Sequence, residues 1–436
     1  MFFVELWDDF FTLLENYSWS KIVSVFWLFF LLELPRYYLL ETGVIVYLKM
    51  RRKHFRQKDL WARKRFLTEK PFVSVIAPGK NEGKNIYKLV KSLSEQTYKN
   101  FELIIVDDGS DDDTKLICKD FEKQGLIHVF LRNEVSGGKA SAANFALQFA
   151  KGDYIIHLDA DSSLDHDAIE NILIPFYLDE NIKGVGGNVK VRNSKDSLCT
   201  SFQALEYLGD IMVGRMVTST LGIYRIISGA FGAFEAKTLK EVGAWNVGPG
   251  LDGDVTQKIR NAGYKIHFAH KAVCLTAVPQ TFYALSRQRL RWSKSLVRFR
   301  VRRHIRSILP HRAFKWSNFF SIFENIFFYL FLDILWVIYM FVLILNNSGI
   351  LFDLFVLKFT IMTVCNLFSF FLVLWVTERK KEEFPLIAFV PFLSIYVGYF
   401  LRIVRTWAYI IEFFLFSSYK DPWNPKKVSD IARLEN

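Results

Sequence analysis

The chain has 436 residues, of which 51% are hydrophobic, 17% aromatic and 23% charged. It is too apolar for a wholly soluble protein and too charged to lie wholly within a bilayer, so the composition predicts soluble and membrane parts together. The net charge of +12 comes without a recognisable nucleic-acid motif, and we expect no nucleic-acid partner.

Residues 1–50 are predicted to form an N-terminal interfacial segment followed by a transmembrane helix. The apolar segment runs from about Lys21 to Leu48 and contains charged residues and a proline. The charged residues and the proline are Glu33, Pro35, Arg36 and Glu41. They predict a kinked helix whose charges face protein. The basic residues between 51 and 65 place the C-terminal end of the helix in the cytoplasm and favour contact with anionic headgroups.

Residues 51–278 are predicted to fold as a cytosolic α/β domain. Short apolar runs at 72–77, 103–106 and 154–158 alternate with helical spacing of apolar residues between 86 and 93. This alternation favours a parallel, doubly wound sheet. Ligands of such sheets bind at the carboxyl ends of the strands, where the acidic motifs of this chain are expected.

The motif Asp159-Ala160-Asp161 follows the third apolar run. Two carboxylates two positions apart beyond a strand end can both reach one hard cation, so Asp159 and Asp161 are candidate ligands of Mg²⁺ or Mn²⁺. Such a cation neutralises a diphosphate leaving group. Taken in isolation, the motif is typical of a solvated turn.

Two further motifs are candidate nucleotide contacts. Asp107-Asp108-Gly109-Ser110 ends the second run, and it predicts either a carboxylate that contacts the nucleotide or metal, or an ordinary Asp-Gly turn. Ser136-Gly137-Gly138-Lys139 does not complete an ATP-binding loop, because Asn133 and Ala140 replace residues that such a loop requires. Lys139 remains a candidate contact to nucleotide or diphosphate.

Asp252 is the candidate general base. It lies in Gly250-Leu251-Asp252-Gly253-Asp254, and a glycosyl transfer needs a group that takes the proton of the attacking hydroxyl. The alternative is a helix N-cap, in which Asp252 or Asp254 accepts hydrogen bonds from free backbone N–H groups. Both interpretations can hold together.

Residues 279–317 are predicted to form amphipathic interface helices that carry Gln288-Arg289-Leu290-Arg291-Trp292. Arginine binds pyrophosphate bidentately, and tryptophan offers a flat face on which a sugar ring stacks. The alternative is an ordinary basic helix at the membrane surface. Nearby arginines between 298 and 306 are likewise expected to face anionic lipid headgroups.

Residues 318–418 are predicted to be C-terminal transmembrane helices, and 419–436 a tail. Two blocks, 319–345 and 351–376, are each long enough for one crossing, and Asn346 to Gly349 forms an outer turn between them. The block at 385–416 predicts an interfacial piece and one crossing. Charges inside the blocks predict either a sugar-conducting path, or side chains that snorkel to the interface or form internal ion pairs. They are Asp333, Lys358, Arg402 and Arg405. Counting crossings places the tail outside, whereas its basic residues favour the inside.

Taken together, these motifs resemble those of the processive family 2 glycosyltransferases, which include cellulose, chitin, hyaluronan and poly-N-acetylglucosamine synthases. The similar segments are Pro78-Gly79-Lys80-Asn81-Glu82, Asp107 to Ser110, Gly138-Lys139-Ala140 with Ala143-Asn144, Asp159 to Asp161, and Gln288 to Trp292. The chain departs from the family at Leu251-Asp252, where the family usually carries Glu-Asp. The presumed base is kept and its acidic neighbour is lost.

The resemblance implies an α/β GT-A (Rossmann-like) cytosolic domain inserted between transmembrane helices of a multi-pass plasma-membrane protein. It implies a UDP-sugar donor, UDP-GlcNAc or UDP-Glc, that is polymerised with inversion onto a growing polysaccharide. Asp252 would be the base, and Asp159 and Asp161 would hold the cation. The implied substrate-binding residues are Pro78, Asn81, Glu82, Asp107, Asp108, Lys139, Asp159, Gln288, Arg289, Arg291 and Trp292. A small membrane accessory subunit would fit a chain with few helices of its own.

Two other functions share part of this pattern. A polyprenyl-phosphate-linked single-sugar transferase would carry the α/β domain and the acidic motifs, but it would not normally need Gln-Arg-x-Arg-Trp. A transporter or scaffold without enzymatic activity would explain the apolar blocks, yet it would leave the ordered acidic motifs as coincidence.

Overall fold

The computed structural model of the chain describes residues 18–246, 250–309, 314–346, 348–420 and 425–426. Expectations for the N-terminal interfacial segment, for position 347 of the outer turn and for most of the tail lie outside the described residues.

The α/β domain is built on an eight-stranded sheet with the order β3-β2-β1-β4-β7-β6-β8-β5. The strands are β1 (Val73–Gly79), β2 (Phe101–Asp107), β3 (Val129–Arg132), β4 (Tyr154–Leu158), β5 (Ser163–Leu164), β6 (Ile182–Val191), β7 (Phe231–Glu235) and β8 (Lys265–Thr276). β1 pairs in parallel with β2 and β4, as expected. The prediction of a wholly parallel sheet is wrong, because β7 runs antiparallel to β4 and β6. The chain reaches β7 beside the end of β4, where the N–H of Asp159 donates to Ala230, so β7 must run back.

Helices cover both faces of this sheet. Those of the α/β domain and its leading segment are Arg52–Glu69, Gly83–Ser94, Thr114–Lys123, Lys139–Phe149, Ala168–Leu173, Leu198–Glu206, Arg215–Thr220, Ala236–Glu241 and Leu251–Asn261, with a 3₁₀ turn at Ile174–Tyr177 and a π-helical stretch at Tyr207–Gly214. The apolar spacing between 86 and 93 forms one buried helix face, as predicted. Ala142, Ala143 and Ala146 bring another helix close to the opposite face.

The N-terminal apolar segment is kinked, but at residues 26–28 and not at the charged residues and proline that predicted the kink, which lie inside Phe29–Met50. Its two helices, Trp19–Val25 and Phe29–Met50, meet at 79°. Its charges face protein: Arg36 donates to Glu324, and Glu33 accepts from Arg402. Three helices in the described residues are long and apolar enough to cross a membrane, and the bent pair adds a fourth if it counts as one span. The three are Trp316–Asn346, Leu351–Val376 and Lys380–Leu415.

The last of these helices differs from expectation. Two prolines predicted a break between an interfacial piece and a crossing, yet Lys380–Leu415 is one helical run. The stretch Phe384–Phe392 tightens to a 3₁₀ helix that contains Pro385 and Pro391. Pro385 lies in the first turn of this 3₁₀ stretch, where a residue without an N–H donor is tolerated.

Three of the charges inside the apolar blocks, Asp333, Arg402 and Arg405, form internal ion pairs. Arg402 Nε lies 2.8 Å from Asp333 Oδ1, and Arg405 Nε lies 2.6 Å from Asp333 Oδ2. Lys358 Nζ lies 4.4 Å from the centre of the Tyr399 ring. These contacts favour the interpretation as internal ion pairs, because each arginine is satisfied by a carboxylate of another helix.

The interface segment begins with the helix Phe282–Leu296 and continues through the π-helical Val297–Arg303 and a 3₁₀ turn at Ile305–Ile308. The expectation that its arginines face lipid headgroups is wrong for Arg298 and Arg300, which are 0% and 2% exposed. They point into the protein, where Arg300 reaches Gln257. The basic residues after the bent N-terminal pair, from Arg51 to Lys58, are exposed.

Candidate active site

The carboxyl ends of β1, β2 and β4 bring the predicted motifs to one edge of the sheet. Pro78 is buried near the end of β1, and Asp107 is the last residue of β2. Asn81 adopts φ 59°, and its side-chain oxygen accepts from the N–H of Asp111, 2.9 Å away. A Cβ on Gly79 would lie 2.8 Å from that of Ala160, so this glycine permits β1 to approach the Asp159 motif closely.

Four carboxylates and one ammonium group share this edge. Lys139 Nζ pairs with Asp159, and the carboxylates of Asp159 and Asp252 raise the pKa of Lys139 although burial opposes the rise. Burial, followed by the charge of Asp159, raises the pKa of Asp161 to about 6. Burial raises the pKa of Glu82 to about 7, and Asp161 and Asp159 add to the rise. The negative charge concentrated here favours a cation.

The oxygen ligands of Asp159 and Asp161 fit Mg²⁺ or Mn²⁺. In the described ranges, no group of three or more His, Cys, Asp or Glu side chains is arranged to hold a metal ion. Magnesium commonly binds through one or two carboxylates together with substrate phosphates. The two aspartates therefore suit a cation that arrives with a diphosphate better than one held by protein alone.

Asp108 organises the loop that precedes Lys139. Its carboxylate accepts from Asn133 Nδ2 at 2.7 Å, Ser136 Oγ at 2.7 Å, and the N–H groups of Gly137 at 3.0 Å and Gly138 at 2.9 Å. Asp107 is fully buried and accepts from Arg132 and from the Ser110 N–H. The contacts of both aspartates within the protein fit a turn-forming role.

Asp252 faces the acidic edge from the first turn of the helix Leu251–Asn261, named here the base helix. Its Oδ2 accepts from the N–H of Gly229 at 2.7 Å. Burial raises the pKa of Asp252, while Lys139 and the Gly229 hydrogen bond oppose the rise. A carboxylate with a raised pKa is a better proton acceptor when ionised, as a general base requires. The N-cap of this helix is Gly250, so the N-cap interpretation of Asp252 is wrong.

The backbone N–H and carbonyl of Gly229 link Asp252 to His157. His157 Nδ1 lies 2.7 Å from the Gly229 oxygen, so Nδ1 carries the proton. Burial, reinforced by Lys139, lowers the pKa of His157 to about 4, and the ring is neutral at neutral pH. A Cβ on Gly229 would overlap the carboxylate of Asp252. Position 229 therefore has to be glycine for Asp252 to hold this position.

Asp254 lies on the other side of the base helix and is fully buried. His304 Nε2 lies 2.8 Å from its Oδ1, and Lys258 Nζ lies 3.5 Å from its Oδ2. Although burial opposes it, the His304 hydrogen bond and the nearby cations hold the pKa of Asp254 below its usual range. Asp254 is thus an ion-paired structural carboxylate, distinct from Asp252.

The Gln288–Trp292 motif lies in the helix Phe282–Leu296. Arg289 is buried and donates to Glu206 at 2.9 Å. Trp292 is 42% exposed, and we expect its accessible ring face to be able to receive a ligand. Arg291 and Gln288 are half-buried, and the side-chain oxygen of Gln288 is buried without a hydrogen-bond partner. The motif thus combines a buried arginine with an accessible aromatic face.

Three residues at this site were not singled out individually from the sequence. Glu206 anchors Arg289, Gly229 holds Asp252, and His157 holds Gly229. The only available signal was the glycine within Ser228-Gly229-Ala230, since a glycine between two buried segments can mark a close approach of side chains. A lone glutamate in a helix and a histidine in an apolar strand carry no local signal.

Comparison with known proteins agrees with this geometry. Residues 74–237 match the family described as Glycosyl transferase family 2. The poly-beta-1,6-N-acetyl-D-glucosamine synthase of Staphylococcus epidermidis is 33% identical over 251 residues, which are 52% of this chain and 59% of that protein. The synthase of the same name from Staphylococcus aureus strain COL is 34% identical over 222 residues, 49% of this chain and 52% of that protein. The chain thus spans less than two thirds of the length of these relatives.

A solved structure shares the fold. It is the mannosyltransferase PcManGT from Pyrobaculum calidifontis in complex with GDP-Man and Mn²⁺, with a TM-score of 0.55 and 20% identity. The match covers 86% of this chain and 99% of that one. At this identity the likeness establishes the GT-A-like mixed-sheet fold alone. Residues 74–237 are therefore a Glycosyl transferase family 2 domain within this fold.

Proposed function

We propose that the protein is a membrane-embedded, inverting and processive glycosyltransferase that polymerises a UDP-sugar into a β-linked extracellular polysaccharide. The position of Asp252 is the observation that carries the proposal. It faces Lys139 and Asp159 and is fixed by the Gly229 N–H. The names of the Staphylococcus relatives support UDP-GlcNAc as the donor ahead of UDP-Glc.

In the proposed reaction, Asp252 takes the proton of the acceptor hydroxyl as its oxygen bonds to the anomeric carbon of the donor. The bond between that carbon and the diphosphate breaks, and UDP leaves with the electron pair. Attack opposite the leaving group converts an α-linked donor into a β-linkage. Lys139 and Arg291 would bind the diphosphate, because ammonium and guanidinium groups are the usual cationic partners of phosphate oxygens.

Asp159 and Asp161 would hold Mg²⁺ or Mn²⁺, which neutralises charge on the departing diphosphate when bound. Pro78, Asn81 and Glu82 would line the nucleotide side of the same edge. Asp107 and Asp108 would shape it through the loop that ends at Lys139. Trp292 would stack on the acceptor sugar through its exposed face.

The membrane arrangement is part of the proposal. The three long apolar helices and the bent pair would cross the plasma membrane, with the catalytic domain on the cytoplasmic side. The growing polysaccharide would leave between these helices. A small membrane accessory subunit would complete the path, since the chain offers at most four spans among its described residues.

The test uses purified protein in nanodiscs with Mn²⁺ and radiolabelled UDP-GlcNAc, UDP-Glc or UDP-GlcA in turn. The expected result is a high-molecular-weight product from one donor. It should be lost in Asp252→Asn and kept in Asp254→Asn after correction for the amount of folded protein. A small lipid-extractable product would instead identify a polyprenyl-phosphate-linked transferase. Binding without turnover of any donor would contradict an enzyme that acts alone.

A further inference from the structure

We propose that Glu324 is a positioning residue for the reaction. It acts from an apolar helix through residues 221–230, named here the Gly229 loop, to aim Asp252. The inference rests on the proposed function, because it assigns Asp252 the role of base. Glu324 lies on Trp316–Ile326, the first part of a helix long enough to cross the membrane. Its carboxylate joins three segments that are far apart in the sequence.

The first link is a buried carboxylate between two arginines. Glu324 Oε1 accepts from Arg36 Nε at 2.9 Å and from Arg36 Nη2 at 2.6 Å. Glu324 Oε2 accepts from Arg225 Nη1. The side chain of Glu324 is 9% exposed. One carboxylate thus fastens the N-terminal apolar segment, through Arg36, and the Gly229 loop, through Arg225, to the same helix.

The second link fixes the loop between Arg225 and Gly229. The Arg225 guanidinium lies 4.1 Å from the centre of the Tyr329 ring. The backbone carbonyl of Arg225 accepts a hydrogen bond from Arg300 Nη2 at 2.6 Å. Two residues later, the N–H of Ile227 donates to Thr256 Oγ1 at 3.0 Å. The loop is therefore held by the apolar helix on one side and by the base helix on the other.

The third link reaches the reacting carboxylate. Thr256 Oγ1 donates to the carbonyl of Asp252 at 2.6 Å, and the N–H of Gly229 donates to Asp252 Oδ2 at 2.7 Å. Gly229 lies only four positions after Arg225, so release of Arg225 allows the Gly229 N–H to move. A base misplaced by about 1 Å costs about 100-fold in rate.

The simpler interpretation is that Glu324 only helps the protein to fold. A buried ion pair is weak evidence for stability, because desolvation of its charges offsets most of their attraction. Lys190 and Glu383 form a comparable buried ion pair that has no connection to Asp252. They join β6 to another apolar helix, and Glu383 is also 9% exposed. Glu383 therefore serves as the matched control.

The experiment compares Glu324→Gln with Glu383→Gln in full-length protein in nanodiscs. Hydrogen exchange followed by mass spectrometry is expected to show faster exchange at residues 221–230 in the first variant alone. The kcat of Glu324→Gln should fall about tenfold or more, with the KM for the donor within about twofold of wild type. Glu324→Asp should recover part of the loss.

The pH profile gives a readout that a merely structural role would not move. The Gly229 hydrogen bond favours the ionised form of Asp252, so its loss should raise the pKa of Asp252 further. The acid side of the kcat/KM profile should then shift to higher pH in Glu324→Gln. Lys139, Asp159 and Arg215 are the other charged groups around Asp252, and all remain in the variant.

Arg225→Gln is the second variant, because it cuts the link to the loop while leaving the pair of Arg36 with Glu324 intact. Arg225→Gln should reproduce both the faster hydrogen exchange at residues 221–230 and the shift of the kcat/KM profile to higher pH. Unchanged exchange at 221–230 in both variants would overturn the proposal whether or not polymer is made. Equal fractional losses of kcat in Glu324→Gln and Glu383→Gln, together with the same kcat/KM pH profile in both, would also overturn it. Failure of wild type to turn over any donor would instead count against the proposed function.

Discussion

The guanidinium carbon of Arg289 lies 4.4 Å from the centre of the Trp292 ring, over the face of the indole. The same guanidinium donates to Glu206, which also accepts from the Tyr396 hydroxyl at 2.7 Å. Two parts of the Gln288–Trp292 motif thus serve different purposes. Arg289 and Glu206 hold the indole in place from behind, which leaves its exposed face for a ligand.

Glu206→Gln should therefore weaken acceptor binding more than donor binding. Loss of the carboxylate leaves Arg289 buried without its counter-charge, which costs about 3–5 kcal/mol of stability. Arg289 and Trp292 would then lose their fixed stacking. We expect a shorter product on gels and a lower Tm, with donor KM unchanged. Tyr396→Phe is the control, because it keeps the ion pair and removes a hydrogen bond worth about 1 kcal/mol.

Gly229→Ala should abolish activity, and Gly253→Ala should not. A Cβ at 229 would overlap the carboxylate of Asp252, whereas a Cβ at 253 meets nothing within 4 Å. Alanine at 253 also favours the helix by about 0.5–1 kcal/mol. UDP release and thermal unfolding of both variants provide the measurement. Equal activity in the two would contradict the assigned position of the base.

Asp252 should govern the acid side of the pH–rate profile. Burial raises its pKa, so the fall in kcat/KM with decreasing pH should be centred above about 3.9, the usual value for aspartate. Because the folded pKa is raised, the ionised carboxylate costs stability at neutral pH, and Asp252→Asn should unfold at an equal or higher temperature. Rates are measured from UDP release, with activity checked again at neutral pH to exclude denaturation. A lower Tm in Asp252→Asn would contradict this account.

Asp159→Asn and Asp161→Asn should weaken Mn²⁺ binding in the presence of UDP. Each removes an anionic oxygen ligand from a site with two carboxylates, so we expect at least tenfold weaker binding by electron paramagnetic resonance. Asp111→Asn is the control, because it removes the same charge from an exposed position near this edge. Equal Mn²⁺ affinity in all three variants would place the cation elsewhere.

Local patterns predicted the elements that depend on local physics. Apolar spacing predicted the helix Gly83–Ser94, and strand-end acidic motifs predicted the edge that gathers Asp107 and Asp159. The direction of β7 could not be predicted, because a short apolar run is compatible with either orientation. The burial of Arg300 was also missed, because its partner Gln257 lies 43 positions away. The role of Glu206 was missed for the same reason, because its partner Arg289 lies 83 positions away in the sequence.

The seam between the catalytic domain and the apolar helices is charged. Lys190 pairs with Glu383, Arg225 with Glu324, and Asp165 with Arg379. Excision of the soluble part would leave each of these groups facing water without its counter-ion, beside apolar surface that the helices had covered. The excised fragment would therefore differ from the intact protein at this surface. Crystallography and inhibitor screening should use the intact chain in lipid.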